Sequence, residues 1–225
     1  MESAKENTIE FDYRKSLKKR DDSFINKYIR VEKYINRPLA ALLVKAVINT
    51  RITPNGITLI NFLFGIAGAF FLSRGEYHYF VLGGVFTQLS SIIDCADGQL
   101  ARAKDMCSEY GSHLDLFLDR IMDFALITCM SWGLYTAHND IRLLLLGLLT
   151  AGLYLLQINL FYITNSLLKN QERGATGEAR ALMLFMVMIF GIAGRLDIFL
   201  YLLLAETIIV NLIRIVHFQR LSKKG

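Results

Sequence analysis

The sequence predicts an all-α membrane protein with six transmembrane helices, preceded by an amphipathic helix at the cytoplasmic interface. Of its 225 residues, 53% are hydrophobic and only 2 are proline, which is far more apolar than a soluble domain requires. Apolar residues gather into windows of about 17 to 25 positions, the length that a helix needs to cross a bilayer. The predicted spans are 57–73, 78–96, 115–137, 141–168, 179–194 and 196–217.

The segment before the first span has the pattern of an interfacial helix, because apolar and basic residues alternate at near-helical spacing. The apolar positions are Phe24, Ile25, Tyr28, Val31, Ile35 and Leu39, with Lys27, Arg30, Lys33 and Arg37 between them. A helix packed on the cytoplasmic ends of the bundle is a compatible alternative. Residues 1–20 form a charged tail, and 21–225 are expected to form one domain. Pro54, Asn55 and Gly56 predict a turn into the first span.

The distribution of basic residues predicts the topology. Of the 25 Lys and Arg, only Arg74, Arg142 and Arg195 fall on one side of a six-span bundle. The positive-inside rule therefore places both termini at the cytoplasmic face of the cytoplasmic membrane. The first 50 residues contain no early apolar stretch, so we expect no cleavable signal. The net charge of +5 reflects the basic residues on the cytoplasmic side, which also attract the lipid surface. No nucleic-acid partner is expected.

An acidic stretch between the second and third spans carries the chemistry. Asp94 and Asp97 are three residues apart, and Asp115 and Asp119 are four apart, so each pair shares one face of a helix. If the short loop folds these helices into an antiparallel pair, four carboxylates converge near the cytoplasmic face. Hard divalent cations would offset their repulsion, and oxygen ligands favour magnesium, manganese or calcium over zinc. Two such ions would suit phosphoryl-type displacement.

Other residue types give weaker signals. The three cysteines are odd in number and the four histidines are scattered, which disfavours a disulfide framework or a zinc site. Gly98, Ala101 and Gly111 leave room for a substrate, although small residues are also common at helix contacts in membranes. Arg102 offers a planar donor fork that suits pyrophosphate.

The pattern D94-x2-D97-G98-x2-A101-R102-x8-G111-x3-D115-x3-D119 resembles the signature of the CDP-alcohol phosphotransferase (CDP-alcohol phosphatidyltransferase) family at every position. The six-span layout and the preceding PNGIT extend the resemblance over most of residues 20–220. It implies an integral membrane enzyme, commonly a homodimer, that contacts membrane lipid. Such an enzyme transfers a substituted phosphate from CDP-diacylglycerol or another CDP-linked donor to an alcohol acceptor and releases CMP.

The same resemblance implies residue roles. Asp94, Asp97 and Asp115 would ligate two divalent ions, Mg²⁺ or Mn²⁺, and Asp119 would complete the metal site and act as general base. A carboxylate within hydrogen-bond reach can accept the proton of an attacking alcohol, although nearby metal charge lowers its basicity. The residues implied to line the nucleotide pocket are Thr58, Asp97, Gly98, Ala101, Arg102 and Gly111.

The acceptor stays open. The lead-in to the first span and the last span look similar to enzymes that use inositol phosphate, especially di-myo-inositol phosphate phosphate synthases. Lys104, and Arg173 and Arg180 in a predicted loop at 169–180, could bind a phosphorylated acceptor, or could be ordinary positive-inside residues. Glycerol phosphate, serine and amino alcohols are the alternatives, as in a phospholipid synthase. Asn159, Tyr162 and Ser166 share one face of the fourth span and suggest an acceptor pocket or interhelical hydrogen bonds.

Two other classes of protein compete with an enzyme. A divalent-cation transporter could use the aspartates as a midplane site, but it should show repeat symmetry and interrupted helices, and the sequence shows neither. An inactive membrane scaffold would have no reason to keep four acidic groups in costly positions.

Overall fold

The computed structural model describes residues 31–168 and 175–222, and within these ranges every regular element is helical. The all-α fold class is therefore confirmed. The predicted tail at 1–20, the first part of the amphipathic segment and Arg173 lie outside the described residues. A π-helical turn, Glu32–Asn36, continues into the helix α1. The helices are α1 (Arg37–Val47), α2 (Pro54–Leu72), α3 (Tyr77–Ala103), α4 (Glu109–His138), α5 (Ile141–Leu168), α6 (Ala175–Ile192) and α7 (Leu196–Ser222).

Within the described ranges, four stretches are long and apolar enough to cross a membrane, which fits an integral membrane protein. They are Pro54–Leu72, Tyr77–Ala103, Ile141–Ile163 and Leu196–Val216. Two other predicted spans also fall on helices, but Ala179–Ile192 in α6 is shorter, and α4 carries several charged residues in its first half. Length and composition alone therefore support four spans.

The helices that carry the acidic stretch are longer than the predicted spans. The helix α3 continues past residue 96 to Ala103, and α4 begins at Glu109, before residue 115. The Ser108 side chain caps α4 by accepting a hydrogen bond from the backbone N–H of Gly111 at 3.0 Å. Because apolar windows end where charges begin, they miss helical turns that lie beyond the apolar stretch.

The predicted turn at residues 54–56 is the first turn of α2 instead. Proline suits the first position of a helix, where its missing N–H needs no partner. The Thr53 side chain caps this end by accepting a hydrogen bond from the N–H of Gly56 at 3.2 Å. The sequence PNG therefore begins the helix directly.

The helix α1 packs along α3 and also exposes apolar side chains. A small core joins Ala40, Val44 and Ile48 of α1 to Ala96 and Leu100 of α3. The buried Asn36 side chain donates to Ser91 Oγ at 2.7 Å and accepts from Gln88 Nε2 at 2.8 Å. Tyr34, Leu42 and Leu43 are exposed. One face of this segment therefore packs on the bundle, while other apolar side chains remain uncovered.

The helices α2, α3 and α4 approach closely at the ends that lie away from the acidic residues. A Cβ at Gly68 of α2 would lie 3.2 Å from the carbonyl oxygen of Gly83 in α3. A Cβ at Gly133 of α4 would lie only 1.9 Å from the carbonyl oxygen of Leu72. Glycine at these contacts lets the backbones pack closely, as is common between membrane helices.

Candidate active site

Three of the four predicted aspartates converge where α3 ends and α4 begins. Asp94 and Asp97 on α3 and Asp115 on α4 each offer one carboxylate oxygen, and these atoms lie within 4.8 Å of one another. The two helices are joined by the short segment 104–108, and both pack against α2, which brings the carboxylates together.

Side chains of α2 hold two of these carboxylates. The Thr58 hydroxyl donates to Asp97 Oδ2 at 2.7 Å, and the Asn61 amide donates to Asp94 Oδ1 at 3.1 Å. Ser90 of α3 in turn donates to the amide oxygen of Asn61. Hydrogen bonds of this kind orient the ligands of metal sites. Asn61 and Ser90 were not predicted, although their polarity within apolar spans was a usable signal.

The chemistry of this group fits a hard divalent cation. Its donors are all carboxylate oxygens, which favour such ions. Asp115 Oδ1 is buried and has no hydrogen-bond partner among the described residues. A buried acceptor without a partner is costly, and a bound cation would satisfy it. Asp94, Asp97 and Asp115 could therefore hold a metal ion.

Asp119 lies outside this three-carboxylate group and faces an arginine instead. Arg180 Nη2 donates to Asp119 Oδ1 at 2.9 Å, and Nη1 lies 3.4 Å from Asp94 Oδ1. The prediction that Arg180 lies in a loop is wrong, because α6 begins at Ala175 and Arg180 is buried on it at 7% exposure. The predicted loop, 169–180, extended to this last charged residue before the apolar run, whereas the helix begins five residues earlier.

A fifth carboxylate, Asp123, was missed from the sequence. It is fully buried and pairs with Arg180 Nε at 2.9 Å and with Arg120 Nη1 at 3.2 Å. The available signal was the four-residue spacing that runs from Asp115 through Asp119 to Asp123. Repetition at this interval keeps three carboxylates on one face of a helix.

The residues predicted to line a nucleotide pocket surround the same helix ends. A Cβ at Gly98 would lie 3.3 Å from Arg102 Nη1, so the Arg102 guanidinium lies against the Gly98 backbone. Ala101 is half-buried between them on α3. A Cβ at Gly111 would lie 2.9 Å from Asn55 Oδ1.

An open cavity of about 430 Å³ lies beside these residues. It is lined by Thr53, Pro54, Asn55, Met106, Cys107 and Ser108. Asn55 therefore faces both this cavity and Gly111. The lining combines the first turn of α2 with the segment that precedes α4.

Two of the predicted acceptor-binding residues already have protein partners. Lys104 Nζ donates to the carbonyl oxygens of Thr50 and Ile52 at 2.8 and 2.9 Å, which ties the end of α3 to the segment before α2. Arg180 is paired with carboxylates, as described above. In the fourth predicted span, the Asn159 amide donates to Leu155 O of its own helix at 2.9 Å.

Comparison with known proteins defines the class. The model of the family described as CDP-alcohol phosphatidyltransferase matches residues 51–217. This range includes α2 to α6, most of α7 and every carboxylate of the site. The chain belongs to the CDP-alcohol phosphatidyltransferase family.

Several curated relatives carry names that refer to inositol phosphates. A bifunctional IPC transferase and DIPP synthase of Archaeoglobus fulgidus is 34% identical over 101 residues, 45% of this chain and 20% of that protein. An archaetidylinositol phosphate synthase of Pyrococcus horikoshii is 30% identical over 90 residues, 40% of this chain and 46% of that protein. A phosphatidylinositol phosphate synthase of Corynebacterium glutamicum is 30% identical over 105 residues, 47% of this chain and 45% of that protein. The matched part thus spans less than half of each of these relatives.

Proposed function

We propose that this protein is an integral membrane transferase that moves a substituted phosphate from a CDP-linked donor to an alcohol and releases CMP. The observation that carries the proposal is the group formed by Asp94, Asp97 and Asp115, in which three carboxylates lie within 4.8 Å at the positions of the family motif. Two divalent cations, Mg²⁺ or Mn²⁺, held by these residues with Asp119 nearby, would neutralise phosphate oxygens and orient the leaving group.

The protein's own groups account for the proton and for donor binding. The acceptor hydroxyl oxygen attacks the phosphorus that bears the group to be transferred, and a new P–O bond forms. The bond from that phosphorus to the bridging oxygen breaks, and its electron pair leaves with CMP. Asp119 takes the hydroxyl proton. Arg102, against Gly98, binds the pyrophosphate of the donor, while Thr58 holds Asp97 in place.

The names of the relatives support an inositol phosphate as the acceptor. A phosphorylated acceptor needs a cationic partner for its phosphate group. Arg180 contacts Asp119 and is therefore the best placed of the predicted acceptor-binding residues. Lys104 is bound to backbone carbonyls, and Arg173 lies outside the described residues. Glycerol phosphate, serine and amino alcohols are the alternative acceptors.

We further propose that all six helices from α2 to α7 cross the membrane, with α1 at its cytoplasmic surface and the carboxylates on the cytoplasmic side. The charged residues of α4 do not argue against this, because Asp123 is fully buried and Asp119 pairs with Arg180. Charges that face the bundle interior are tolerated within a membrane. A single domain over 21–225 that forms a homodimer completes the proposal.

The test is CMP release by purified protein in detergent or liposomes. CDP-diacylglycerol and other CDP-linked donors are each offered inositol phosphate, inositol, glycerol phosphate, serine and an amino alcohol. We expect release that needs both a donor and an acceptor and that Asp97→Asn abolishes. Release with inositol but not with inositol phosphate would overturn the acceptor assignment, and no release with any pair would overturn the proposed reaction.

A cation transporter is not favoured by the structure. The helix α3 is continuous from Tyr77 to Ala103 through both of its aspartates, whereas transporter sites are commonly built from interrupted helices.

A further inference from the structure

Asp123 is a buried carboxylate to which the proposed reaction gives no task. It lies one turn beyond Asp119 on α4 and is 0% exposed. Its two oxygens have separate partners, since Oδ1 accepts from Arg180 Nε at 2.9 Å and Oδ2 from Arg120 Nη1 at 3.2 Å. Burying a charge is costly unless it is paired. The pairing shows how the charge is accommodated, and it leaves open what the carboxylate does.

The geometry of Arg180 suggests the task. Its guanidinium contacts Asp123 through Nε and Asp119 through Nη2, each at 2.9 Å. The guanidinium is a rigid planar fork, so fixing the direction of Nε also fixes the direction of Nη2. The arginine side chain is otherwise rich in rotamers. The hydrogen-bond acceptor at Asp123 therefore restricts Arg180 to an orientation in which it also contacts Asp119.

The position of the two carboxylates on one helix strengthens this relation. Asp119 and Asp123 are four residues apart on α4, so their side chains lie on the same face, while Arg180 comes from α6. Arg120, the other partner of Asp123, is a near neighbour on α4 itself, and its side chain is 22% exposed. Arg120 thus neutralises Asp123 locally, and among the described residues Arg180 is the one paired with both Asp123 and Asp119.

We propose that Asp123 is a positioning residue for the transfer reaction, which aims Arg180 at Asp119 and so holds the carboxylate that takes the acceptor proton. The inference rests on the proposed function. Asp123 touches no reacting atom and acts through Arg180. A fixed Asp119 presents its free oxygen in one direction, which matters because proton transfer requires hydrogen-bond distance to the attacking hydroxyl.

The test compares Asp123→Leu, which removes both acceptor oxygens, with Asp123→Glu, which retains a carboxylate. For each, kcat and the two KM values are measured per folded molecule, beside the thermal unfolding midpoint in detergent. We expect Asp123→Leu to lower kcat about 10- to 100-fold, the range for loss of a group that orients an active-site ligand. The donor KM should stay unchanged, and Asp123→Glu should recover part of the loss. If Asp123→Leu does not fold, Asp123→Asn takes its place, since it keeps the volume and removes the charge.

Two further variants separate positioning from a structural ion pair. Arg180→Lys keeps the charge but removes the planar fork. When Asp123→Leu is added to Arg180→Lys, kcat should fall by less than about twofold relative to Arg180→Lys alone, because the effects of residues that act as a unit are not additive. Arg120→Gln removes the other cation from Asp123 and should leave kcat nearly intact.

The outcomes that overturn the inference are specific. They are an equal loss in both backgrounds, a kcat loss reproduced by Arg120→Gln, or a lowered unfolding midpoint with unchanged kcat per folded molecule. If the wild type is active and Asp123→Leu has the same kcat, the inference about Asp123 is overturned and the proposed function stands. A wild type that releases no CMP from any donor overturns the proposed function, and the inference with it.

Discussion

Thr58 of α2 donates its hydroxyl hydrogen to Asp97 of α3 at 2.7 Å, and both side chains are buried. The bond joins helices that the sequence separates by 39 positions. It holds Oδ2 of a carboxylate that belongs to the three-carboxylate group. The resemblance to the family had implied that Thr58 approaches the nucleotide, and the structure shows a contact with the carboxylate group.

Replacing Thr58 with valine should weaken metal binding by the three-carboxylate group. Thr58→Val keeps the shape but removes the donor, so Asp97 should lose its fixed orientation. We expect a rise of about 10- to 100-fold in the Mg²⁺ concentration needed for half-maximal activity, as for other groups that orient metal ligands. Titration of CMP release with Mg²⁺ measures it. Thr58→Ser, which retains the hydroxyl, is the matched control, and equal Mg²⁺ curves for the valine and serine variants would contradict the assignment.

Divalent cations should stabilise the folded protein as well as activate it. A ligand that binds only the folded state raises stability by about 2.7 kcal/mol at 100 times its Kd. The thermal unfolding midpoint in detergent should therefore rise with Mg²⁺ or Mn²⁺ and fall back in excess EDTA. Asp115→Asn should lose most of this rise, because its carboxylate belongs to the three-carboxylate group. A midpoint that responds equally in Asp115→Asn would place the cation elsewhere.

A methyl group at Gly111 should disturb the donor side of the site. The added Cβ would lie 2.9 Å from Asn55 Oδ1 and 3.0 Å from Ser108 Oγ, so these two side chains, which line the cavity, must move. We expect Gly111→Ala to raise the KM for the CDP-linked donor more than the KM for the acceptor. The control is Gly152→Ala on α5, where nothing among the described residues lies within 4 Å of the added carbon. Unchanged donor KM in Gly111→Ala would mean that the donor binds away from this contact.

Lys104 should act on stability and not on the acceptor. Its ammonium binds the carbonyl oxygens of Thr50 and Ile52, so Lys104→Met should loosen the segment that precedes α2. We expect a lower thermal unfolding midpoint, because each of the lost hydrogen bonds contributes about 0.5 to 1.5 kcal/mol to stability. The acceptor KM should stay within about twofold of wild type. A rise of tenfold or more in the acceptor KM, with an unchanged midpoint, would restore Lys104 to the acceptor site.

The parts of the site that the sequence predicts are those determined within one helix. Asp94 with Asp97, and Asp115 with Asp119, share faces because their spacing is three and four residues. The sequence did not indicate that α2 would pack against both helices and bring the two pairs close. Arg180 could not be connected to Asp119 in this way, because that contact depends on the position of α6, which packs against α3 and α7. Asp123 followed the same spacing as its neighbours, but nothing in the sequence indicated that a second helix would supply its partner.

The boundaries of the helices show a second limit of the sequence pattern. Apolar windows mark the part of a helix that contacts lipid or the core, and they say little about polar turns at its ends. For this reason the ends of α3 and α4 that carry the motif, and the first turn of α6, extend beyond the predicted spans. Side-chain caps such as Ser108 were the better guide to where α4 begins.

Arg102 and Arg180 should affect different substrates, because they contact different groups. Arg102 lies against Gly98, where the donor pyrophosphate is proposed to bind, whereas Arg180 is paired with Asp119 and Asp123. Arg102→Ala should raise the donor KM with every acceptor, at a cost of about 1.5 to 3 kcal/mol for one hydrogen bond to a charged group. Arg180→Ala should lower kcat, and should raise the acceptor KM only for a phosphorylated acceptor. Both variants are measured with donor and acceptor varied separately. An Arg180→Ala enzyme with a weakened donor and unaltered kcat would exchange the two assignments.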